Sequence, residues 1–167
     1  PSSLAPRSPR REGLVQTAGM DRVREADEQV VIAVPPDTVY DAVSDVASMG
    51  RWSPVNTGAT VRVSGPLRAG DTFVGHNRAG RWRWSTRCRV LEAEPGQVFS
   101  FEVSVPGVPV ARWAYRLRPV PGGTEVTESW QDLRSGLLGG AAYRLTRAAL
   151  RSGDPATNAR RGMRRTL

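Results

Sequence analysis

The amino-acid sequence predicts an α+β fold in which a curved antiparallel sheet of about seven strands wraps around one long C-terminal helix. The first observation is a strand-like alternation of apolar and polar residues that runs from Ala59 to residue 132. The second is a change to helical spacing of the apolar residues after Ser135. A sheet with one apolar face must be covered, and this helix can cover it. With 167 residues, the chain has the size of one domain.

The segment before the alternating region predicts a first strand and two short helices. An alternation of apolar and polar residues begins near Arg22, strengthens into the apolar run 30–34 and is stopped by Pro35 and Pro36, which predicts the strand. Apolar residues then recur at i, i+3, i+4 and i+7 from Val39 to Val46, which predicts a short amphipathic helix with Asp37 in its first turn. A second, brief helix is expected from Asp45 to Gly50.

The alternating region is predicted to form six strands, because turn signals rich in Gly and Pro divide it. The links between these strands are short enough for antiparallel hairpins, so the sheet is expected to be a meander. The predicted strands are 59–64, 72–78, 82–94, 97–104, 110–119 and 124–132.

Both ends of the chain depart from this pattern. Residues 1–19 mix Pro, Ser and Arg without an apolar period, which predicts a disordered basic leader and a folded domain over 20–167. The C-terminal helical pattern is interrupted at Gly153, and Asp154 followed by Pro155 predicts that a helix restarts there.

The composition excludes several kinds of chemistry. All 24 basic residues are Arg, so a Schiff-base lysine and a P-loop lysine are excluded. One cysteine, Cys88, and one histidine, His76, are too few for a usual nitrogen and sulfur metal site. No glycine fingerprint opens a helix after a strand. We therefore expect neither a metal nor a cofactor.

The same counts bear on location and partners. A single cysteine cannot form an internal disulfide, and the sequence has no apolar run long enough for a membrane span, so we expect a cytoplasmic protein. The formal net charge is +8, of which residues 1–19 carry +2 and residues 144–167 carry +6. A solvated surface is favoured over a nucleic-acid or lipid partner for these charges. The sequence does not indicate an oligomeric state.

Strand parity sorts the predicted sheet into two faces. One face is rich in Arg, and the other is rich in aromatic residues and is predicted to point inward. Such a face is either a filled core or a pocket for an apolar ligand. Asn77 and Thr86 could orient a polar end of the ligand, although ordinary backbone hydrogen bonding is the favoured interpretation. The candidate ligand-binding residues are Trp84, Thr86, Phe101, Trp113, Tyr115, Trp130 and Asn77.

Glu128 is the candidate catalytic residue, because it lies between Val126 and Trp130 on the inward face. An unpaired carboxylate would be costly there. The favoured interpretation is a strand-end carboxylate that reaches solvent or pairs with an Arg. The alternative is a pocket carboxyl group with a raised pKa, acting as acid or base or binding a ligand hydroxyl. His76 has outward parity and is expected at the surface.

Four segments carry a family resemblance. They are VPPDTVYDAVSDVASMGRWSP, GHNRAGRWRWSTRCRVLEAEPGQVFSFEV, VARWAYRLRP with the following GGTEVTESW, and NARRGMRRTL. Together they resemble the START-like superfamily (SRPBCC), in particular its polyketide cyclase/dehydrase and lipid-transport group, which is common in actinobacteria. The resemblance spans residues 22–167. It implies a helix-grip fold, a START-like ligand-binding domain over 20–167, and a pocket in place of a filled core.

Three functions follow as hypotheses. The first is binding of a small hydrophobic ligand (polyketide-like, lipid or aromatic) between the sheet and the C-terminal helix. The second is a cyclase or aromatase that uses Glu128 for proton transfer and needs no cofactor. The third is an Arg-rich module that interacts with nucleic acid or a membrane surface. The resemblance does not separate binding proteins from enzymes, because one fold hosts many functions.

Overall fold

The computed structural model describes residues 25–106 and 108–134. These residues form one seven-stranded sheet with one α-helix packed against it. Helix α1 is Pro36–Ser44, and a single 3₁₀ turn follows at Met49–Arg51. The strands are β1 (Glu25–Ile32), β2 (Asn56–Val61), β3 (Thr72–Ala79), β4 (Trp82–Glu94), β5 (Val98–Val105), β6 (Val108–Val120) and β7 (Gly123–Asp132).

All neighbouring strands of the sheet are antiparallel. Their order is β1, β7, β6, β5, β4, β3, β2, so the chain from β2 to β7 is the predicted meander and β1 pairs with its last strand. The predicted seven-stranded antiparallel sheet is therefore confirmed. The predicted long C-terminal helix, its restart at Pro155 and the expected leader 1–19 lie outside the described residues.

Helix α1 follows from its sequence. Pro36 stands at its start, where a missing backbone N–H costs no helical hydrogen bond. Asp37 in the first turn places negative charge at the positive end of the helix dipole. Tyr40 packs edge to face on Phe99 of the sheet, with ring centroids 6.3 Å apart. The residues that α1 buries are Val39, Tyr40 and Val43.

The second predicted short helix is no more than the 3₁₀ turn. Gly50 lies so close to β2 that a Cβ there would be 2.6 Å from the carbonyl carbon of Thr57. Gly58 adopts a positive φ of 127°, and a Cβ there would lie 2.9 Å from the Ala47 carbonyl oxygen. The segment is therefore held tightly against the edge strand β2, and two glycines permit that approach.

The side of the sheet that α1 covers, called the concave face below, carries the main apolar core. Phe73, Phe99 and Phe101 form ring contacts there, with centroids 5.5 Å and 5.9 Å apart. Val90 and Val126 are almost fully buried beside them. The opposite, convex face carries the exposed Arg side chains of β4 and β6. The predicted division into an aromatic and an Arg-rich face is thus present in the structure.

Strand β4 contains one irregularity. The register passes from the pair Val90 and Phe101 to the pair Glu92 and Ser100, which leaves Leu91 as an extra residue in a β-bulge. Because of that residue, Ala93 lies opposite Phe99 on the concave face. A strict two-residue alternation would have turned Ala93 to the convex face.

Candidate functional site

Two rows of side chains cross the concave face where β5, β6, β7 and β1 adjoin. In each row the residues are direct cross-strand partners, so their side chains are neighbours. The first row consists of Phe101, Trp113, Trp130 and Ala26. The second row consists of Phe99, Tyr115, Glu128 and Glu28. The structure thus brings together five of the predicted site residues.

Glu128 is the polar centre of these rows. Glu128 is 2 % exposed and Tyr115 is 4 % exposed. The Oε1 atom of Glu128 accepts a 2.8 Å hydrogen bond from the hydroxyl of Tyr115. Its Oε2 is buried without a hydrogen-bond partner among the described residues. The favoured interpretation of the sequence was that Glu128 reaches solvent or pairs with an Arg. In the described part of the chain it does neither.

Burial sets the protonation of this pair. Loss of hydration raises the pKa of Glu128 from 4.5 to about 7, although the hydrogen bond from Tyr115 acts in the opposite direction. The pKa of Tyr115 is raised well above its usual value by burial first and by the charge and hydrogen bond of Glu128 second. Near neutral pH the phenol keeps its proton, while the carboxyl group is close to its titration midpoint. A carboxyl group in this state can give or take a proton.

Sequence reasoning missed three further polar residues, one opposite Glu128 and two at and just beyond the end of β7. Glu28 lies directly opposite Glu128 on β1 and is half-buried. Asp132 and Arg134 form a buried bidentate ion pair, with N–O distances of 2.8 and 2.9 Å. Strand parity could have identified Glu28 and Asp132, since residues two apart in a strand share a face. Glu28 is two residues from Val30, and Asp132 is two residues from Trp130. No pattern could identify Arg134, because it follows the last strand.

The other three predicted ligand-binding residues lie elsewhere on the concave face. Asn77, Trp84 and Thr86 belong to β3 and β4 and are half-buried. Strand β4 is three positions from β7 and β3 is four, so this group lies at least about 14 Å from Glu128 across the sheet. The structure therefore does not bring these three residues together with Glu128.

The amide of Asn77 and the hydroxyl of Thr86 partner each other. The Asn77 Nδ2 donates to Thr86 Oγ1 over 3.4 Å. A Cβ at the cross-strand neighbour Gly75 would lie only 3.1 Å from Thr86 Oγ1, so the glycine makes room for this hydroxyl. The two polar groups thus contact each other across β3 and β4.

The single histidine lies away from Glu128. His76 lies on the convex face, where Nε2 is 2.8 Å from Thr60 Oγ1 and Nδ1 is 3.1 Å from Ser85 Oγ. Within 25–106 and 108–134, no three His, Cys, Asp or Glu residues come close enough to hold a metal ion. None of the described helices is long and apolar enough to cross a membrane.

One surface cleft of about 680 Å³ lies away from the predicted site. It lies between the start of α1 and the β4–β5 turn, and it contains none of the predicted site residues. Its wall carries both signs of charge, including Asp37, Glu92, Arg116 and Arg118. We therefore place the candidate site on the concave face, where the buried carboxyl group lies.

A curved antiparallel sheet of seven strands with an aromatic concave face is typical of START-like domains. The chain belongs to the family described as polyketide cyclase / dehydrase and lipid transport, whose model matches residues 23–153. No curated protein matches the chain.

Solved structures show the same fold at low sequence identity. A protein of Chromobacterium violaceum is 17% identical, with a TM-score of 0.62 over 86% of this chain and 92% of that chain. A protein of Rhodobacter sphaeroides is 19% identical, with a TM-score of 0.56 over 88% and 92% of the two chains. The di-domain ARO/CYC BexL from the BE-7585A biosynthetic pathway is 21% identical, with a TM-score of 0.59 over 86% of this chain and 45% of that chain.

Proposed function

We propose that the protein binds a small, largely apolar molecule on its concave face and holds a carbonyl oxygen of that molecule at Glu128. The observation that carries this proposal is the Oε2 atom of Glu128, which is buried without a partner among the described residues. A buried polar atom without a partner is costly, and a ligand oxygen would recover that cost. Polyketide-like, lipid and aromatic molecules all fit this description.

The apolar part of the ligand would contact the aromatic rows. Phe101, Trp113 and Trp130 are cross-strand neighbours, and Trp113 is half-buried, so its ring is available for contact. Small-molecule sites are typically apolar with a few placed polar groups, and this arrangement has that character. Asn77, Trp84 and Thr86 would contact only a ligand long enough to extend from β7 to β4.

The position of the acid proton decides which ligand group Glu128 prefers. Tyr115 donates to Oε1, so the proton of the neutral carboxyl group belongs on Oε2. That proton would be donated to a ligand acceptor such as a ketone. Binding should therefore be strongest when Glu128 is neutral. The other titratable or charged groups near it on this face are Glu28 and Tyr115, with Asp132 and Arg134 farther along the chain.

The test compares two fluorescent probes of similar shape, 2-acetylnaphthalene with its ketone and 2-ethylnaphthalene without it. Between pH 6 and pH 8 the affinity of the parent protein for the ketone probe should fall roughly tenfold, since only about a tenth of Glu128 stays neutral. Glu128→Gln should bind the ketone probe without that pH dependence, because its amide always donates. Glu128→Leu should lose the preference for the ketone. Equal affinities of the two probes for the parent protein would refute the proposal.

A second candidate is a cyclase, and the pKa of about 7 at Glu128 favours it. A carboxyl group near its midpoint at neutral pH is suited to general acid–base catalysis. The family description includes cyclases, and BexL is described as an ARO/CYC protein. In this version an enol carbon of the ligand would attack a carbonyl carbon, and Glu128 would give its proton to that carbonyl oxygen as the C=O bond becomes C–OH. The resulting carboxylate would then take up the proton that the enol oxygen releases.

Incubation with a linear poly-β-ketone, followed by mass spectrometry and chromatography, separates the two functions. An enzyme should give a cyclised product faster than the spontaneous reaction, and Glu128→Gln should abolish that acceleration while it still binds the ketone probe. A binding protein should protect the ketone without accelerating its conversion.

We also propose a cytoplasmic location, which the unpaired, buried Cys88 supports.

A further inference from the structure

The charge of the folded region is strongly separated along the chain. Residues 25–45 contain six acidic residues and no Arg, whereas residues 46–91 contain eight Arg and a single acidic residue, Asp71. The second range comprises β2, β3 and most of β4. The sequence interpretation assigned the net charge to the two ends of the chain, because the segment between them sums to zero. Although the middle segment has no net charge, the half of the sheet formed by β2, β3 and most of β4 is basic.

The β3–β4 hairpin concentrates this basic charge at its tip. Arg78 and Arg83 are direct cross-strand partners, and Arg81 lies in the turn between the strands. All three are exposed, and none forms an ion pair with the described residues. Like charges directly opposite each other destabilise a sheet. An anionic partner would relieve this repulsion.

The same end of the sheet exposes apolar side chains. Trp82 in the hairpin tip is 65 % exposed, the highest value among the large apolar residues of the described part. Val55 is 41 % exposed, and its carbonyl oxygen accepts a 2.8 Å hydrogen bond from the backbone N–H of Arg78. The β5–β6 hairpin turns at this end as well and exposes Val108. We call Val55, Arg78, Arg81, Trp82 and Arg83 the basic hairpin tip.

We propose that the basic hairpin tip docks on the surface of an anionic lipid bilayer. A Trp side chain is suited to the boundary between headgroups and acyl chains. Arg side chains around it can bind lipid phosphates, which form paired hydrogen bonds with guanidinium groups. Val55 and Val108 would add apolar contact. The proposal does not depend on the ligand of the concave face.

The pattern fits a bilayer better than a nucleic acid. Proteins that bind single strands stack successive bases on several aromatic rings along a groove. Trp82 is the one large aromatic side chain with high exposure among the described residues. The aliphatic side chains of Val55 and Val108 would have no partner on a phosphate backbone. In a bilayer these two side chains would contact the apolar acyl chains.

The experiment measures co-sedimentation of the full chain with vesicles of phosphatidylcholine alone or with added phosphatidylglycerol. The parent protein should bind the anionic vesicles only, and less at high salt. Arg81→Gln/Arg83→Gln should weaken that binding about 25-fold, since each basic residue near such a surface contributes about fivefold. Trp82→Ala should weaken it as well.

Matched controls lie at the opposite end of the sheet. Arg62→Gln/Arg68→Gln removes the same charge from two exposed positions, and Val31→Ala removes an apolar side chain that is 57 % exposed. Both control variants should bind like the parent protein. Absence of binding to anionic vesicles, or an equal loss in the control variants, would overturn the proposal. So would tip-dependent binding to a single-stranded oligonucleotide without binding to vesicles.

Discussion

Tyr115 and Glu128 are cross-strand partners on β6 and β7, and the phenol of Tyr115 occupies Oε1 of the carboxyl group. The two carboxyl oxygens are therefore inequivalent. Oε1 accepts a hydrogen bond within the sheet, while Oε2 is left to a proton or to a ligand. The stability of the fold and the chemistry of the candidate site thus depend on the same carboxyl group.

Glu128 should make the fold less stable at higher pH. Its pKa rises from 4.5 in the unfolded chain to about 7 in the fold, so the native state binds more protons between those values. This contribution to stability is complete below pH 4.5 and is lost as the pH rises through 7. The free energy of unfolding of Glu128→Gln minus that of the parent protein should therefore increase by about 3 kcal/mol between pH 4 and pH 8.

Urea denaturation at several pH values checks this shift. Glu125→Gln is the matched control, because Glu125 lies on the convex face of the same strand and pairs with the exposed Arg118. The difference between this control and the parent protein should show no comparable rise toward pH 8. Parallel stability curves for Glu128→Gln and the parent protein would contradict the raised pKa.

Tyr115→Phe should destabilise the fold more at pH 8 than at pH 5. At pH 8 the substitution removes a hydrogen bond to a charged carboxylate, which contributes about 1.5–3 kcal/mol, whereas at pH 5 it removes one to a neutral carboxyl group, which contributes about 1 kcal/mol. Without the phenol, the pKa of Glu128 should also rise further. Tyr40→Phe is the control, since Tyr40 is also buried but contacts Phe99 through its ring. Equal losses at the two pH values would show that Glu128 is not titrating in this range.

The buried ion pair of Asp132 and Arg134 should be sensitive to loss of one partner. Asp132→Asn removes the carboxylate of this buried pair and should lower the free energy of unfolding by about 3–5 kcal/mol. Disruption of the exposed pair by Glu125→Gln should cost no more than about 1 kcal/mol. Thermal and urea unfolding measure both values. Similar small losses would mean that the buried pair contributes little.

Cys88 should be unreactive in the native protein. Burial raises the pKa of its thiol to about 11, while hydrogen bonds with Thr86 and with the backbone of Gly75 lower it only in part. At pH 8 roughly one thiol in a thousand is then ionised, and the side chain is 3 % exposed. Reaction with Ellman's reagent should be slow in buffer and fast in guanidinium chloride. Rapid labelling without denaturant would contradict the buried position.

The sequence predicts the sheet well because its pattern is redundant. Each hairpin has its own turn signal, and each strand repeats the same alternation, so errors of one or two residues at the ends do not change the topology. The first strand is predicted from the alternation that begins near Arg22 and strengthens in the apolar run 30–34. In the structure it begins at Glu25, because pairing with β7 continues through polar residues of β1.

The candidate site is less predictable, because parity gives a face and not a distance. It placed both Glu128 and Thr86 on the concave face, but β5 and β6 lie between their strands. Nor could parity choose among partners for Glu128, which bonds to Tyr115 and not to an Arg in the described chain. The Asp132–Arg134 pair was missed because Arg134 follows the end of β7 and has no strand neighbour.

The bulge at Leu91 divides β4 into two segments of opposite phase. A chain without Leu91 would have a regular ladder here, because Val90 and Ala93 would then be two residues apart and would both remain on the concave face. A single-codon deletion at this position should therefore be tolerated better than one at a paired position of β4, which would shift the register of every residue beyond it. Sequence comparisons across this strand should accordingly treat 82–90 and 92–94 as separate blocks and allow a gap between them.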